Sequence, residues 1–193
     1  MENNTSITQK FTSADLEVLP EDGKRYEIID GELYVSRQPG YEHQYTCTAL
    51  VRFLAEWSEK SHMGIVLIAP GLIFAEDDDV APDVVWISRK RLAQAADAAG
   101  HLRAAPELVM EVLSPGKANE YRDRDAKLKL YSRRGVQEYW IVSWTQQFVE
   151  VHARENAALK LKATLYAEDL LESPLLPEFS CRVAKLFFAP PST

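Results

Sequence analysis

The chain has 193 residues, 46% of them hydrophobic and 26% charged, which is ample for one packed core and too apolar for a disordered chain. Its formal net charge of −7 argues against tight, constitutive, nonspecific binding of nucleic acid, which calls for a basic surface. No apolar run reaches the roughly 20 residues of a bilayer span, and MENNTSITQKF has neither the basic start nor the apolar centre of a secretion signal. Cys47 and Cys181 form no metal-type spacing, so a reduced, cytoplasmic setting with no membrane partner is expected.

In chain order, residues 1–11 read as a flexible tail, 12–188 as a single domain, and 189–193 as a second tail. Thr12, with Asp15 three residues later, marks a short helix start that Glu21-Asp22-Gly23 breaks. YEIIDGELYVS (26–36) reads as a hairpin around the Asp30-Gly31 pair. From His43 to Lys60, Leu50, Phe53, Leu54 and Trp57 recur at the i, i+3, i+4, i+7 spacing of one helix face. GIVLIAP (64–70) and LIFA (72–75) are short strands, Glu76 to Asp79 an acidic turn, and VVWI (84–87) a strand opened by Pro82-Asp83. Residues 89–101 suit a short helix or a surface loop, and Leu108 to Leu113 is a wholly apolar strand apart from Glu111. A charged helix over 119–134 ends at Gly135. EYWIVS (138–143) and FVEVHA (148–153) make a second hairpin, LKLKATLY (159–166) alternates as a strand, and a helix closes the chain over 182–188. The order predicts an α/β fold: a central mixed β-sheet flanked by helices.

Three polar residues sit at the edges of this predicted sheet. Glu111 is surrounded by Leu108, Val109, Met110, Val112 and Leu113, and an ionised carboxylate in a strand buried on both faces costs several kcal/mol unless a cation meets it. A divalent ion shared with a second carboxylate, Asp83, answers that need, because Mg²⁺ takes oxygen ligands. Lys127 follows in the next helix. Asp123, Lys127 and Tyr131 share one face at i, i+4 and i+8, so that Asp123 can hold the lysine. Each residue also has a plainer role: Asp83 as a turn cap after Pro82, Glu111 paired with an arginine such as Arg122, Lys127 as an ordinary surface lysine.

The runs PDVVWIS, PELVMEVLSP and DRDAKLKLYSRRGVQEYWIV resemble the Uma-two family of restriction-endonuclease-like domains within the PD-(D/E)XK superfamily. YEIIDGELYVS and SPLLPEF extend the likeness over about residues 12–188. The resemblance implies a restriction-endonuclease-like core with catalytic residues Asp83, Glu111 and Lys127, the first two also binding metal, and Mg²⁺ or Mn²⁺ as cofactor. It adds Glu27 as a further metal-binding acid, with Glu32 on the opposite side of the hairpin in a supporting place. His43 stands where the family often has histidine, a residue that contacts substrate or metal, or else a neighbouring loop. Two departures are visible: Leu113 stands two residues after Glu111, where the superfamily has its lysine, and Ser143-Trp144 follow EYWIV, where the family continues with aspartate.

The first functional expectation is therefore a metal-dependent endonuclease hydrolysing phosphodiester bonds of DNA, with RNA differing only in substrate. The alternative is an inactive, dimeric nuclease-fold module for binding or regulation. A homodimer is expected from the need to cut two strands, with EYWIVSWTQQFVEVH as an exposed aromatic surface for pairing. The cluster Arg122, Arg124, Lys127, Lys129, Arg133 and Arg134 offers a local basic patch.

Overall fold

The computed structural model describes residues 10–189. In chain order its elements are α1 (Ser13–Leu16), the hairpin β1 (Arg25–Ile29) and β2 (Glu32–Ser36), the long helix α2 (Tyr41–Ser61), then β3 (Gly64–Ile68), β4 (Leu72–Ala75), β5 (Asp78–Val80), β6 (Val84–Ser88) and α3 (Arg89–Ala95). β7 (Leu108–Val112) leads into α4 (Lys117–Tyr121), a π-helical turn over Arg122–Ala126 and α5 (Lys127–Arg134). β8 (Glu138–Ser143), β9 (Phe148–Glu155), β10 (Ala158–Leu165), β11 (Leu170–Glu172), β12 (Ser180–Arg182) and a 3₁₀ turn over Val183–Leu186 complete the chain.

The central sheet runs β10-β9-β8-β7-β6-β3. All its pairs are antiparallel except β7 and β8, whose parallel pairing requires the long crossover through α4, the π turn and α5. The strand period of two assigns the faces. Met110, Val112, Trp140 and Val142 pack against Leu50 and Leu54 of α2. Val109, Leu113, Tyr139 and Ile141 pack instead against Leu130 and Tyr131 of α5. Glu111 shares the parity of Val109 and Leu113, so it points at the crossover helix.

The hairpin 26–36 forms where its turn chemistry puts it, with positive φ at both Asp30 (54°) and Gly31 (75°), as a two-residue hairpin turn requires. It does not join the central sheet. It belongs to a second sheet, β2-β1-β5-β4, stacked with α5 on the same side of the core. The acidic run expected to be a turn splits: Glu76-Asp77 turn, while Asp78 and Asp79 enter β5 and pair with β4 and β1. Residues 89–101 divide into α3 and a loop tied down by Leu102, and the closing helix shrinks to one 3₁₀ turn after β12. β11 and β12, three residues each, carry no pattern long enough to predict.

The second hairpin is internal. Tyr139 and Trp140 are fully buried, and β9 is covered at its outer edge by β10, so the expected exposed aromatic pairing surface does not exist. Of the expected N-terminal tail, Phe11 donates its backbone N–H to Gly31 at 2.9 Å; residues 1–9 and 190–193 lie outside the described residues.

Asp78 fastens the small sheet to the end of α5. Its buried carboxylate accepts the Asp30 backbone N–H at 2.9 Å, Arg133 Nη2 at 2.8 and 2.9 Å, and Arg134 Nη2 at 2.5 Å. Burial opposes ionisation, but the Asp30 N–H and the two guanidiniums outweigh it and hold the carboxyl below the usual range. Asp78→Asn is expected to lower stability by about 2–3 kcal/mol at neutral pH, read by urea unfolding. A depressed folded pKa stabilises above the unfolded pKa of roughly 3.9 and is lost below it, so the difference between variant and parent should close as pH falls through that range.

Candidate active site

The site lies where the central sheet, the small sheet and the π turn meet. Proline at 82 ends the preceding segment and Asp83 stands just before β6, so its side chain reaches across to β7. Its Oδ2 accepts the Val112 backbone N–H at 2.9 Å and lies 3.2 Å from His43 Nε2, while Oδ1 accepts Arg25 Nη1 at 2.9 Å. Glu111, one residue before Val112, is 1% exposed; its Oε1 accepts Lys127 Nζ at 2.8 Å and the Tyr131 hydroxyl at 2.9 Å. Lys127 is fully buried, and its Nζ also lies 2.8 Å from Glu27 Oε1. Glu27 arrives from β1 of the small sheet, and the same oxygen takes the Ala81 backbone N–H at 3.0 Å.

The π turn explains how one helix presents so many inward groups. The Lys127 N–H bonds back five residues to the Arg122 carbonyl, which widens the turn and lets Arg122, Asp123, Ala126 and Lys127 all be buried. Arg122 grips Asp123 through Nε at 2.8 Å and Nη2 at 3.2 Å. Asp123 is consequently a distant partner of Lys127, at 4.0 Å; the lysine is held by Glu27 and Glu111. The pairing of Glu111 with Arg122 does not occur, and Lys127 is not a surface residue.

The electrostatics follow from crowding. Burial pushes Glu111 up to about 8 against the pull of Lys127, with Asp83, Asp123 and Glu27 adding to the rise. Burial raises Asp123 as well, although Lys127 and Arg122 oppose it. For Glu27 burial is outweighed by Lys127 and Arg122, and for Asp83 by His43 and Arg25, so both stay ionised well below the usual range. Burial alone would strip Lys127 of its proton, but Glu111, Glu27 and Asp123 hold it firmly charged.

Four buried carboxylates thus meet three cations, Arg25, Arg122 and Lys127. Glu27 Oε2 is buried with no hydrogen-bond partner; Arg122 Nε stands 3.8 Å away, beyond bonding range. Oxygen donors with one orphaned oxygen are of the kind a hard divalent cation takes, although among the described residues no three of these acids bring ligand oxygens within 4.8 Å of one another.

Five of the candidate residues gather around Glu111 and Asp83: Glu27, His43, Asp123, Lys127 and Tyr131 join them directly or through one partner. Glu32 does not; it sits exposed at the start of β2, accepting the Tyr34 hydroxyl at 3.0 Å. Arg25 and Cys47, the latter expected only as a reduced thiol without metal-type spacing, also border the cluster. Arg25 was findable, since it lies two residues before Glu27 on one strand and so shares its face. Cys47 Sγ stands 3.6 Å from His43 Nδ1, one helical turn on.

The expected basic patch is largely spent internally. Arg124 pairs with Glu150, Lys129 with Asp125, and Arg133 and Arg134 with Asp78. A basic mouth occurs elsewhere: a cavity of about 210 Å³ over Asp83 and His43 is lined by Lys24, Arg25, Arg37 and Arg122. Lys24, Arg25 and Arg122 are themselves paired with Asp22, Asp83 and Asp123, which leaves Arg37 as the one of these four cations without a salt bridge among the described residues.

The family model Uma2, described as "Putative restriction endonuclease", matches residues 13–184, and the chain belongs to that family. Its fold is similar to that of a "putative nuclease belonging to DUF820" from Anabaena variabilis ATCC 29413, with TM-score 0.73 at 17% identity over 92% of this chain and 97% of the other. A weaker match is the type IIG restriction endonuclease BpuSI, with TM-score 0.36 at 13% identity over 78% of this chain and 16% of that one. No curated protein matches the chain. Among the described residues no helix is long and apolar enough to cross a membrane.

Proposed function

We propose that the protein is a divalent-metal-dependent endonuclease that hydrolyses phosphodiester bonds of DNA. The observation that carries this reading is the buried Lys127 ammonium, 2.8 Å from both Glu27 and Glu111, with Asp83 of the same cluster opening on a cavity. Asp83, Glu111 and Glu27 would hold Mg²⁺ or Mn²⁺, whose chemistry there is to acidify a water and neutralise phosphoryl charge. Lys127, whose ammonium is held by Glu27 and Glu111, would place positive charge beside that ion. Tyr131 fixes Glu111 through its hydroxyl, and His43 and Arg25 fix Asp83. Arg122, held by Asp123, keeps positive charge next to the unpartnered oxygen of Glu27.

The test is cleavage of plasmid and oligonucleotide DNA with Mg²⁺ or Mn²⁺, alongside RNA. Glu111→Ala and Lys127→Ala are each expected to reduce cleavage by about 10²–10³-fold, the scale of losing an electrostatic catalytic group. Equal cleavage by parent and variants, or none on any nucleic acid, rejects the enzyme. A second reading, a nuclease-fold binding module without catalysis, is favoured by the Arg25–Asp83 and Lys127–Glu111 pairs, which satisfy these acids internally. Calorimetry separates the two: the module predicts no saturable Mn²⁺ binding.

A homodimer and a cytoplasmic setting belong to the same proposal. One site per chain makes paired protomers the simple way to cut two strands, and sedimentation reads the mass directly. Both cysteines are free thiols, as a reducing compartment keeps them.

A further inference from the structure

A second group of donors lies beside the acidic set and differs from it in chemistry. His43 and Cys47 occupy i and i+4 on α2, which places imidazole and thiol on one helix face. That face is turned inward against Asp83, and all three residues are buried. His43 Nε2 lies 3.2 Å from Asp83 Oδ2, and its Nδ1 lies 3.6 Å from Cys47 Sγ. One ligand atom from each residue can be chosen so that the three fall within 4.8 Å of one another. Ligands of a tetrahedral zinc ion stand roughly 3.3–3.6 Å apart, as Zn–S near 2.3 Å and Zn–N and Zn–O near 2.1 Å require, so a contraction of about 1 Å closes the set.

We infer that His43, Cys47 and Asp83 form a binding site for a thiophilic divalent cation of the Zn²⁺ class. Imidazole plus thiolate selects Zn²⁺ or Co²⁺ over Mg²⁺, whereas the oxygen set of Glu27 and Glu111 has the reverse preference. Three protein donors leave a fourth position, and the cavity of about 210 Å³ that His43 and Asp83 help to line gives access to it. Lys24, Arg25 and Arg37 around that cavity suit a hydroxide or another small anion as the fourth ligand. Arg25 engages Asp83 Oδ1, which leaves Oδ2 on the side of the histidine.

The site is independent of whether the protein cuts DNA, and its test does not use cleavage. The reduced, metal-free, full-length protein is titrated with Co²⁺ and followed in the near ultraviolet, where thiolate-to-cobalt charge transfer absorbs. A band saturating at one equivalent and bleached by Zn²⁺ is expected in the parent and in Cys181→Ser, and its loss is expected in Cys47→Ser. No band at excess Co²⁺, or a band that survives Cys47→Ser, overturns the site. Should Cys47→Ser fail to fold, X-ray absorption of zinc-loaded Cys181→Ser, whose one thiol is Cys47, decides the question. One sulfur at about 2.3 Å supports the site, and a shell of nitrogen and oxygen alone rejects it.

Discussion

Lys127→Met is expected to lower the stability of the protein by about 3–5 kcal/mol, the range for removing one partner of a buried ion pair. For a chain of this size that corresponds to a fall in melting temperature of roughly 6–20 °C. The methionine matches the lysine's aliphatic stem and lacks only the ammonium, so most of the packing is conserved and the loss is chiefly electrostatic. What remains is Glu27 and Glu111, both buried, with no ammonium between them. The cost should shrink when the ionised acid is neutralised as well: Lys127→Met combined with Glu27→Gln is expected to be more stable than Lys127→Met alone, because Glu27 is held ionised whereas Glu111, pushed up to about 8, can take a proton. Thermal and urea melts of the four proteins of this cycle give the coupling. If Lys127→Met melts with the parent, the ammonium is not balancing those carboxylates, and its assignment to the site falls with it.

The reason Glu111 stood out in the sequence and Lys127 did not lies in what each neighbourhood reveals. A carboxylate inside LVMEVL announces its own burial, since every flanking residue is apolar. Lys127 sits among Arg124, Lys129 and Arg133, where nothing in the pattern separates the one buried cation from its solvated neighbours; only the family likeness singled it out. The missing lysine at position 113 has a structural answer. Leu113 shares Glu111's face and fills the core against α5, and the helix covering that face supplies the ammonium instead. The long helices and the hairpin turn were readable because periodicity and Asp30-Gly31 are local signals. The second sheet was not, because β5 is three residues of mostly acidic character whose strand form depends on β1 and β4 beside it. The π turn was equally silent: one extra residue in a helical hydrogen bond changes which side chains face inward without changing the composition of the segment.

Asp83→Asn is expected to reduce Mn²⁺ affinity by more than about 100-fold, since second-shell changes alone cost 10–100-fold and Asp83 is proposed as a direct ligand. The substitution preserves shape, and its carbonyl oxygen can still accept the Val112 N–H. Its NH₂ group, however, must face either Arg25 or His43. Arg25 only donates, so that orientation sets donor against donor; the other turns the NH₂ against the Val112 N–H as well, losing that bond, and leaves the guanidinium facing a neutral oxygen in place of a charge. A loss of about 1.5–3 kcal/mol in stability should accompany the loss of metal binding. Calorimetry with Mn²⁺ and urea unfolding on the same preparations read the two effects separately. Unchanged Mn²⁺ affinity in a folded Asp83→Asn removes Asp83 from the metal set and leaves it as the structural partner of Arg25. Loss of Mn²⁺ affinity with the fold intact makes Asp83 a metal ligand, and the same titration of Glu111→Gln and Cys47→Ser tells whether its partners are the acids or His43 and Cys47.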